Sequence, residues 1–231
     1  MIKIDHLTVK FGGVVALDDL SLIIDADVTG LIGPNGAGKT TLTNAFSGFI
    51  NIHVGAILVD GLNLLDMAPH KRTRWGLARS FQKVQLVDEL TVEDHLLTVR
   101  EACGTARTRP INEVLDYVGI AERRTTYGRD LNPYQRRMAE IAKCLAGAPK
   151  IILLDEPGGG LSEAEMQHLR RLILGVKTEF GAQIILVDHD VSLIRDVCSV
   201  TAVLDFGKLI ASGLTENVLI DEVVKAAYLG R

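Results

Sequence analysis

One stretch, residues 33–41, constrains the fold of this chain more than any other. Its sequence, Gly-Pro-Asn-Gly-Ala-Gly-Lys-Thr-Thr, fits the phosphate-loop pattern of a glycine, four further residues and then Gly-Lys-Ser/Thr. The apolar run 28–32 before it predicts a buried strand, and 40–48 after it predicts a helix. Strand, glycine-rich loop and helix in this order are the context that the pattern requires, so the sequence predicts nucleotide binding.

The residue types of this loop explain how it would hold a triphosphate. Small residues at 36–38 let backbone N–H groups approach phosphate oxygens at a helix N-terminus, which already favours anions. Lys39 is expected to reach the β- and γ-phosphates, and the Thr40 hydroxyl to bind Mg²⁺, which prefers oxygen ligands. The predicted nucleotide-binding residues in the loop are Asn35, Gly36, Ala37, Gly38, Lys39, Thr40 and Thr41.

Composition limits the other functions that this chain could have. The 231 residues are 47% hydrophobic and 23% charged, as in an ordinary globular protein, and the apolar runs are too short to cross a bilayer. The net charge of −4 comes without a basic block, so no nucleic-acid partner is expected. Cys103, Cys144 and Cys198 are scattered without metal-ligand spacing, which favours reduced thiols in a cytosolic protein without a signal peptide.

Strand-like and helix-like segments alternate along the chain. This alternation predicts an α/β fold, with a phosphate-loop NTPase core in which a mostly parallel sheet carries helices on both faces. The runs 2–11 and 14–24, on either side of a Gly-Gly turn, predict an N-terminal antiparallel β subdomain. Residues 91–129 look helical and lack strands, so we expect them to form a helical lobe inserted between core segments 1–90 and 130–231.

Two carboxylates follow the apolar run 151–154, which has the length and branching of a fully buried parallel strand. Ligand sites in such folds lie at the carboxyl ends of the strands. Asp155 is therefore predicted to complete the Mg²⁺ site opposite Thr40, and Glu156 to accept a proton from an attacking water.

Three further side chains are candidates for the same site. His189 follows another apolar run and is predicted to hydrogen-bond a γ-phosphate or to orient the base. Gln82 is predicted to end the strand 77–82, where an amide can ligate Mg²⁺ or position water. Phe11 precedes the first turn, and it is either a core aromatic or a ring that stacks on adenine.

Together these motifs resemble those of the ATP-binding subunits of ABC transporters, in the same order and over nearly the whole chain. The resemblance implies a single ABC ATPase domain over residues 1–231 that binds and hydrolyses ATP with Mg²⁺. In chain order it covers the adenine-stacking aromatic (Phe11), the Walker A loop (33–40), the Q-loop glutamine (Gln82), Walker B (151–155), the catalytic glutamate (Glu156) and the switch histidine (His189).

Segments 11–17, 76–82, 89–94 and 227–230 are similar to the branched-chain amino acid uptake branch of that family. This likeness implies a peripheral subunit on the cytoplasmic face of the membrane, which powers uptake of branched-chain or related amino acids. Its implied partners are a second ABC ATPase subunit, a pair of transmembrane permeases and, indirectly, an extracytoplasmic substrate-binding protein. ATP binding would close the ATPase dimer and hydrolysis would reopen it.

One segment departs from the family pattern. The signature Leu-Ser-Gly-Gly-Gln reads Leu-Asn-Pro-Tyr-Gln here, and we call residues 132–135 the signature-like loop. Asn132 can cap a helix and offer an amide, but Pro133 lacks an N–H and Tyr134 adds bulk where glycine permits close approach. Gln135 is unchanged. In the family this loop faces the partner's nucleotide, so we predict an asymmetric heterodimer with one strong and one weak site.

The sequence leaves several alternatives open. Ser162 stands where the family usually has an aspartate, which adds a second change on the surface offered to the partner. The changes in the signature-like loop favour a nucleotide-binding regulatory subunit with little turnover, whereas Glu156 and His189 favour an active ATPase. A homodimer would carry two weak sites. The tail pattern also fits the ATPase of a lipopolysaccharide-type exporter, while the insertions typical of ABC proteins in repair or translation are missing.

Overall fold

The computed structural model of the protein describes residues 1–104 and 108–229. Two compact units can be distinguished, Met1–Arg72 with Ile185–Arg231, and Thr73–Ile184. The strands form a four-stranded antiparallel sheet and a six-stranded, mostly parallel sheet. The predicted α/β class with these two kinds of sheet is therefore confirmed, whereas the bounds of a separate lobe at 91–129 remain a prediction.

The strands and helices follow one another as the alternating pattern predicts. The strands are β1 (Ile2–Phe11), β2 (Val14–Ile24), β3 (Val28–Ile32), β4 (Val54–Val59), β5 (Leu62–Asn63), β6 (Leu77–Arg79), β7 (Ile151–Asp155), β8 (Gln183–Val187), β9 (Val200–Asp205) and β10 (Lys208–Leu214). The helices are α1 (Lys39–Ser47), α2 (Pro69–Trp75), α3 (Val92–Cys103), α4 (Ile111–Tyr117), α5 (Pro133–Ala146), α6 (Glu163–Phe180), α7 (Val191–Val197), α8 (Thr215–Ile220) and α9 (Glu222–Val224), followed by a π-helical turn, Lys225–Leu229. Short 3₁₀ turns occur at Leu64–Asp66, Ala121–Arg123 and Gly128–Asp130.

In the first unit, the antiparallel sheet has the order β2-β1-β4-β5. Ile2 lies opposite Ile24 on one side and Val59 on the other, so β1 is the middle partner of both neighbours. Strand β3 leads into the glycine-rich loop and pairs in parallel with β9, and β9 pairs antiparallel with β10. All five residues of β3 are buried, as expected for a strand covered on both faces.

In the second unit, β6 and β7 pair in parallel, with Ala78 opposite Ile152. The buried side chains of α6 recur every three to four residues, which is the spacing of one helix face. That face, together with side chains of α5, β7 and β8, surrounds a small apolar cavity, lined by Ile141, Leu145, Ile152, Leu154, Leu169, Leu172, Ile173, Val176 and Ile184. Packing of both helices on β7 thus fixes the strand that carries the predicted carboxylates.

The predicted strand over residues 77–82 is wrong at its end. Strand β6 stops at Arg79, so Gln82 lies in the following loop. Ser80 still donates its N–H to the Leu153 carbonyl at 2.9 Å, but the N–H of Phe81 donates to the Glu140 carboxylate instead. A side chain has therefore replaced the neighbouring strand as hydrogen-bond partner, and pairing ends there.

Helix α2 was not predicted from the sequence, and it carries a buried arginine. Arg72 is 5% exposed and donates to the carbonyls of Ala45 at 2.6 Å and Phe46 at 2.7 Å, near the end of α1. Its Nε also donates to the Met67 carbonyl at 2.9 Å. A cation at a helix C-terminus satisfies carbonyls that have no partner within the helix.

We expect Arg72→Met to lower the free energy of unfolding by about 3 kcal/mol, since it leaves buried carbonyls without a donor. Chemical denaturation of the full chain would measure the loss. Lys71→Met is the matched control, because Lys71 is the exposed neighbour on α2 and its replacement should cost less than about 0.5 kcal/mol. Equal denaturation midpoints for the two variants would contradict the capping role of Arg72.

Candidate functional site

Two glycines shape the glycine-rich loop between β3 and α1. Gly33 has a φ of +148°, and a Cβ there would lie 2.1 Å from the Leu204 carbonyl oxygen. Gly38 has a φ of +104°, and its Cβ would lie 2.7 Å from the Ala16 carbonyl oxygen. Both positions therefore require glycine on conformational and steric grounds. These glycines let the loop pack closely against the backbone at Leu204 and Ala16.

Lys39 reaches back across the loop that precedes it. Its Nζ donates to the carbonyls of Gly33 at 2.6 Å and Pro34 at 3.0 Å. These two hydrogen bonds hold the Lys39 ammonium group against the glycine-rich loop. Asn35, Gly36 and Thr40 are exposed around it.

The turn between β9 and β10 supports the glycine-rich loop, which the sequence did not reveal. The N–H of Gly207 donates to the Ala37 carbonyl, and the Gly207 carbonyl accepts from the N–H of Asp18, both at 3.0 Å. A Cβ at Gly207 would lie 2.8 Å from the Ala16 carbonyl oxygen. Gly207 thus connects the glycine-rich loop to β2 at a position where a larger residue would not fit.

Phe11 lies at the end of β1, opposite Val14 across the hairpin turn. Half of the residue (50%) is exposed, so the core alternative for Phe11 is wrong. An exposed ring is available for stacking, and contact with adenine remains a prediction.

In the second unit, Asp155 ends β7 and contacts a buried arginine. Arg79 Nη2 donates to Asp155 Oδ2 at 3.2 Å, and the two side chains are 8% and 13% exposed. The N–H of Asp155 donates to the Ser80 Oγ at 3.1 Å. Burial lowers the pKa of Arg79, and the bond to Asp155 opposes that shift. The predicted metal ligand is therefore held in place from two sides.

Glu156 and Gln82 are brought together. Gln82 Nε2 donates to Glu156 Oε2 at 2.6 Å. The backbone of Glu156 has a φ of +47°, in the left-handed region that costs an ordinary residue free energy. Strained backbones of this kind occur at functional sites, where the surrounding structure enforces them. In this conformation the Glu156 side chain reaches the Gln82 amide in the loop after β6.

His189 follows β8 in the first unit and is exposed. The preceding Asp188 is 3% exposed, and its Oδ1 accepts the N–H groups of His189 at 2.7 Å and Asp190 at 2.9 Å. Burial raises the pKa of Asp188, and these hydrogen bonds oppose the shift. Asp190 in turn caps α7, a helix not predicted from the sequence, so the turn that carries His189 is fixed on both sides.

The signature-like loop forms the start of α5. Asn132 is the N-cap: its side chain accepts the N–H of Gln135 at 2.8 Å, and its own N–H donates to Gln135 Oε1 at 3.1 Å. This is a capping box, with Pro133 as the first helical residue. The Tyr134 hydroxyl hydrogen-bonds His168 Nδ1 on α6, so the ring is turned toward α6.

The residues expected to bind Mg²⁺ have suitable chemistry. The Thr40 hydroxyl, the Gln82 amide and the Asp155 carboxylate all offer oxygen, which this hard cation prefers. Thr40 belongs to the first unit, and Gln82 and Asp155 to the second. Arg79 and Ser80, which touch Asp155, were not predicted. The available signal was a charged residue within an otherwise apolar strand.

The protein belongs to the class of phosphate-loop nucleotide-binding proteins. This class is defined by a buried strand, a glycine-rich loop and a helix that starts at a lysine bonded to the loop, as Lys39 is here. The sequence model of the family described as ABC transporter matches residues 17–159. The chain therefore belongs to the ABC transporter family, as an ATP-binding subunit and ABC-type ATPase. The resemblance noted from the sequence is thus confirmed.

Curated relatives match over nearly the full length of both chains. The chain is 32% identical to the high-affinity branched-chain amino acid transport ATP-binding protein BraF of Pseudomonas aeruginosa, covering 100% of this chain and 98% of the relative. It is 31% identical to the corresponding protein LivG of Escherichia coli K12, with the same coverage. It is also 32% identical to the lipopolysaccharide export system ATP-binding protein LptB of Haemophilus influenzae, covering 98% of this chain and 95% of the relative.

Solved structures have the same fold. An ATP-binding cassette of an ABC transporter, in its ADP conformation, superposes with a TM-score of 0.88 at 25% identity and covers 100% of this chain and 99% of that one. A nucleotide-free cassette gives a TM-score of 0.87 at 24% identity, with the same coverage. Among the helices in the described part of the chain, none has the length and apolar character needed to cross a bilayer.

Proposed function

We propose that this chain hydrolyses ATP to drive solute transport, with Glu156 as the general base. The contact between Gln82 and Glu156, next to Asp155, carries this proposal. It places an amide and two carboxylates at the end of β7, in a chain whose glycine-rich loop connects β3 to α1. A carboxylate at this position accepts a proton from water as the water attacks phosphorus.

Each residue predicted from the sequence has a role in this proposal. Loop N–H groups and Lys39 hold the phosphates, and Phe11 stacks on adenine. Thr40, Gln82 and Asp155 hold Mg²⁺, which neutralises charge on the phosphate oxygens when bound. His189 donates to the γ-phosphate, and Gln82 aligns Glu156 with the attacking water.

The proposed cargo is a branched-chain or related amino acid, taken up through a pair of permeases with the help of an extracytoplasmic binding protein. The likeness to BraF and LivG over the full chain supports this choice. The subunit would then be peripheral, on the cytoplasmic face of the membrane. An exporter of the lipopolysaccharide type is the second candidate, since LptB is 32% identical as well.

We further propose that the chain works in a heterodimer with unequal sites. The side chains of Asn132 and Gln135 hydrogen-bond the backbone of their own helix in the capping box, which occupies groups that a partner's nucleotide would need. Pro133 contributes no N–H. This chain would therefore complete its partner's site poorly, while its own site uses the partner's signature loop. A regulatory subunit with little turnover is the limiting case.

The test of the proposed function is a purified complex of this chain with its permeases and binding protein. Branched-chain amino acids should stimulate ATP hydrolysis, and lipopolysaccharide should not. Stimulation by lipopolysaccharide alone would favour the exporter. If neither substrate changes the rate of ATP hydrolysis, the proposal of substrate-coupled transport is wrong.

Replacing Lys39 tests the nucleotide site itself. Lys39→Ala should weaken ATP binding by about 10- to 100-fold, because a charged donor to the phosphates is lost. Equilibrium binding of a fluorescent ATP analogue to the full chain would measure it. Lys71→Ala is the control, since Lys71 is exposed on α2 outside the loop, and equal affinities of the two variants would count against the site.

A further inference from the structure

A buried ion pair on α5 hydrogen-bonds the backbone of the loop that carries Gln82. Arg137 and Glu140 are 6% and 2% exposed, and Arg137 Nη1 donates to Glu140 Oε2 at 2.9 Å. Neither residue belongs to a motif predicted to contact nucleotide. Burying two charges costs free energy that their mutual attraction recovers only with good geometry and further hydrogen bonds.

Those further hydrogen bonds go to the backbone of the Gln82 loop. Arg137 donates to the carbonyls of Phe81 at 2.9 Å and Gln82 at 3.0 Å. Glu140 Oε1 accepts the N–H groups of Phe81 and Gln85, both at 3.2 Å. The pair therefore holds the loop by donors and acceptors on both sides of Gln82, in the way that a partner strand would.

The same helix begins at the signature-like loop. Asn132 caps α5, and Arg137 lies five residues later, which corresponds to about 8 Å along the helix axis. A helix is rigid over this distance, so a shift or tilt at Asn132 is carried to the ion pair. Arg137 of the ion pair hydrogen-bonds the Gln82 carbonyl, and the Gln82 side chain hydrogen-bonds Glu156.

We propose that Arg137 and Glu140 are positioning residues, which make the alignment of Gln82 with Glu156 depend on the position of helix α5. Occupancy of the signature-like loop by a partner's nucleotide would thereby be communicated to the hydrolytic carboxylate of this chain. The inference rests on the roles of Gln82 and Glu156 in the proposed function.

Two kinds of variant test it. Arg137→Lys keeps the charge but replaces a planar fork by a point charge, which cannot serve both loop carbonyls and Glu140 in the same way. The double variant Arg137→Met with Glu140→Leu removes both charges together, which avoids leaving one of them buried alone and protects the fold. Arg124→Gln, which breaks the more exposed pair with Glu93 in the same unit, is the matched control.

The first measurement is amide hydrogen exchange of the full chain. Exchange at the N–H groups of Phe81 and Gln85 should rise about 10- to 100-fold in the two positioning variants, as for loss of a hydrogen bond to a charged group. It should stay at the wild-type rate in Arg124→Gln. If the variants are folded, as shown by a cooperative thermal unfolding transition, and both amides still exchange at the wild-type rate, the proposed role of the ion pair in holding the loop is wrong.

The second measurement is ATP turnover of the assembled complex. Arg137→Lys should lower kcat about tenfold or more and leave KM for ATP within about twofold, because the glycine-rich loop is untouched. In a Gln82→Ala background the same change should cost nothing further, since both act through one contact. Fully multiplicative losses would overturn the positioning role. Wild-type turnover in Gln82→Ala alone would instead reject the role of Gln82 in the proposed function.

Discussion

Glu156→Gln is expected to reduce ATP hydrolysis by about 100- to 10,000-fold while leaving ATP affinity within about twofold. The change keeps the size of the side chain and an oxygen that can accept from Gln82, but it removes the group that accepts a proton. ATP should therefore accumulate uncleaved in the closed complex. Phosphate release in a single turnover, together with the identity of the bound nucleotide, would measure both effects.

The control for this variant is Glu101→Gln, which neutralises an exposed carboxylate on α3 in the same unit. Its hydrolysis should equal that of the wild type, so a general effect of removing one negative charge is excluded. Continued phosphate release from the Glu156→Gln complex at more than about a tenth of the wild-type rate would show that another group accepts the proton.

Local patterns were sufficient to predict the elements whose bounds depend on nearby residues. The first two strands were predicted with the ends that the structure has, because a Gly-Gly turn separates them in the sequence. The capping capacity of Asn132 was likewise visible, and the structure has Asn132 as the N-cap of α5. The end of β6 and the burial of Arg72 on α2 involve instead partners that are distant along the chain, Glu140 for Phe81 and Ala45 for Arg72. The spacing of apolar residues along the sequence carries no information about such long-range contacts.

The same distinction separates the parts of the candidate site. Asp155 and Glu156 could be named from the apolar run before them, because a strand end followed by carboxylates is a local signal. Arg79 could not be paired with Asp155, since 76 positions separate them. The sequence also showed that Tyr134 is bulky, but not which way its ring points. The hydrogen bond to His168 shows that the ring points toward α6.

Restoring the family signature is expected to accelerate hydrolysis at the partner's site by about 100- to 1,000-fold. The triple variant Asn132→Ser, Pro133→Gly and Tyr134→Gly returns a hydroxyl and an N–H that can face a γ-phosphate. A preorganised donor of this kind contributes about 3 kcal/mol to transition-state stabilisation. In the heterodimer, total turnover would hide the effect, because the strong site dominates it.

The measurement therefore requires that ATP hydrolysis at this chain's own site is first abolished. With Glu156→Gln in place, the remaining hydrolysis reports the site that the signature-like loop completes, and the triple variant should raise that residual rate. Tyr134→Phe is the matched control, since it removes the hydroxyl bonded to His168 but restores no donor, and it should leave the residual rate within about twofold. If the triple variant has the same residual rate as Tyr134→Phe, the signature-like loop is not the cause of slow hydrolysis at the partner's site. The asymmetry would then have to come from the partner subunit itself.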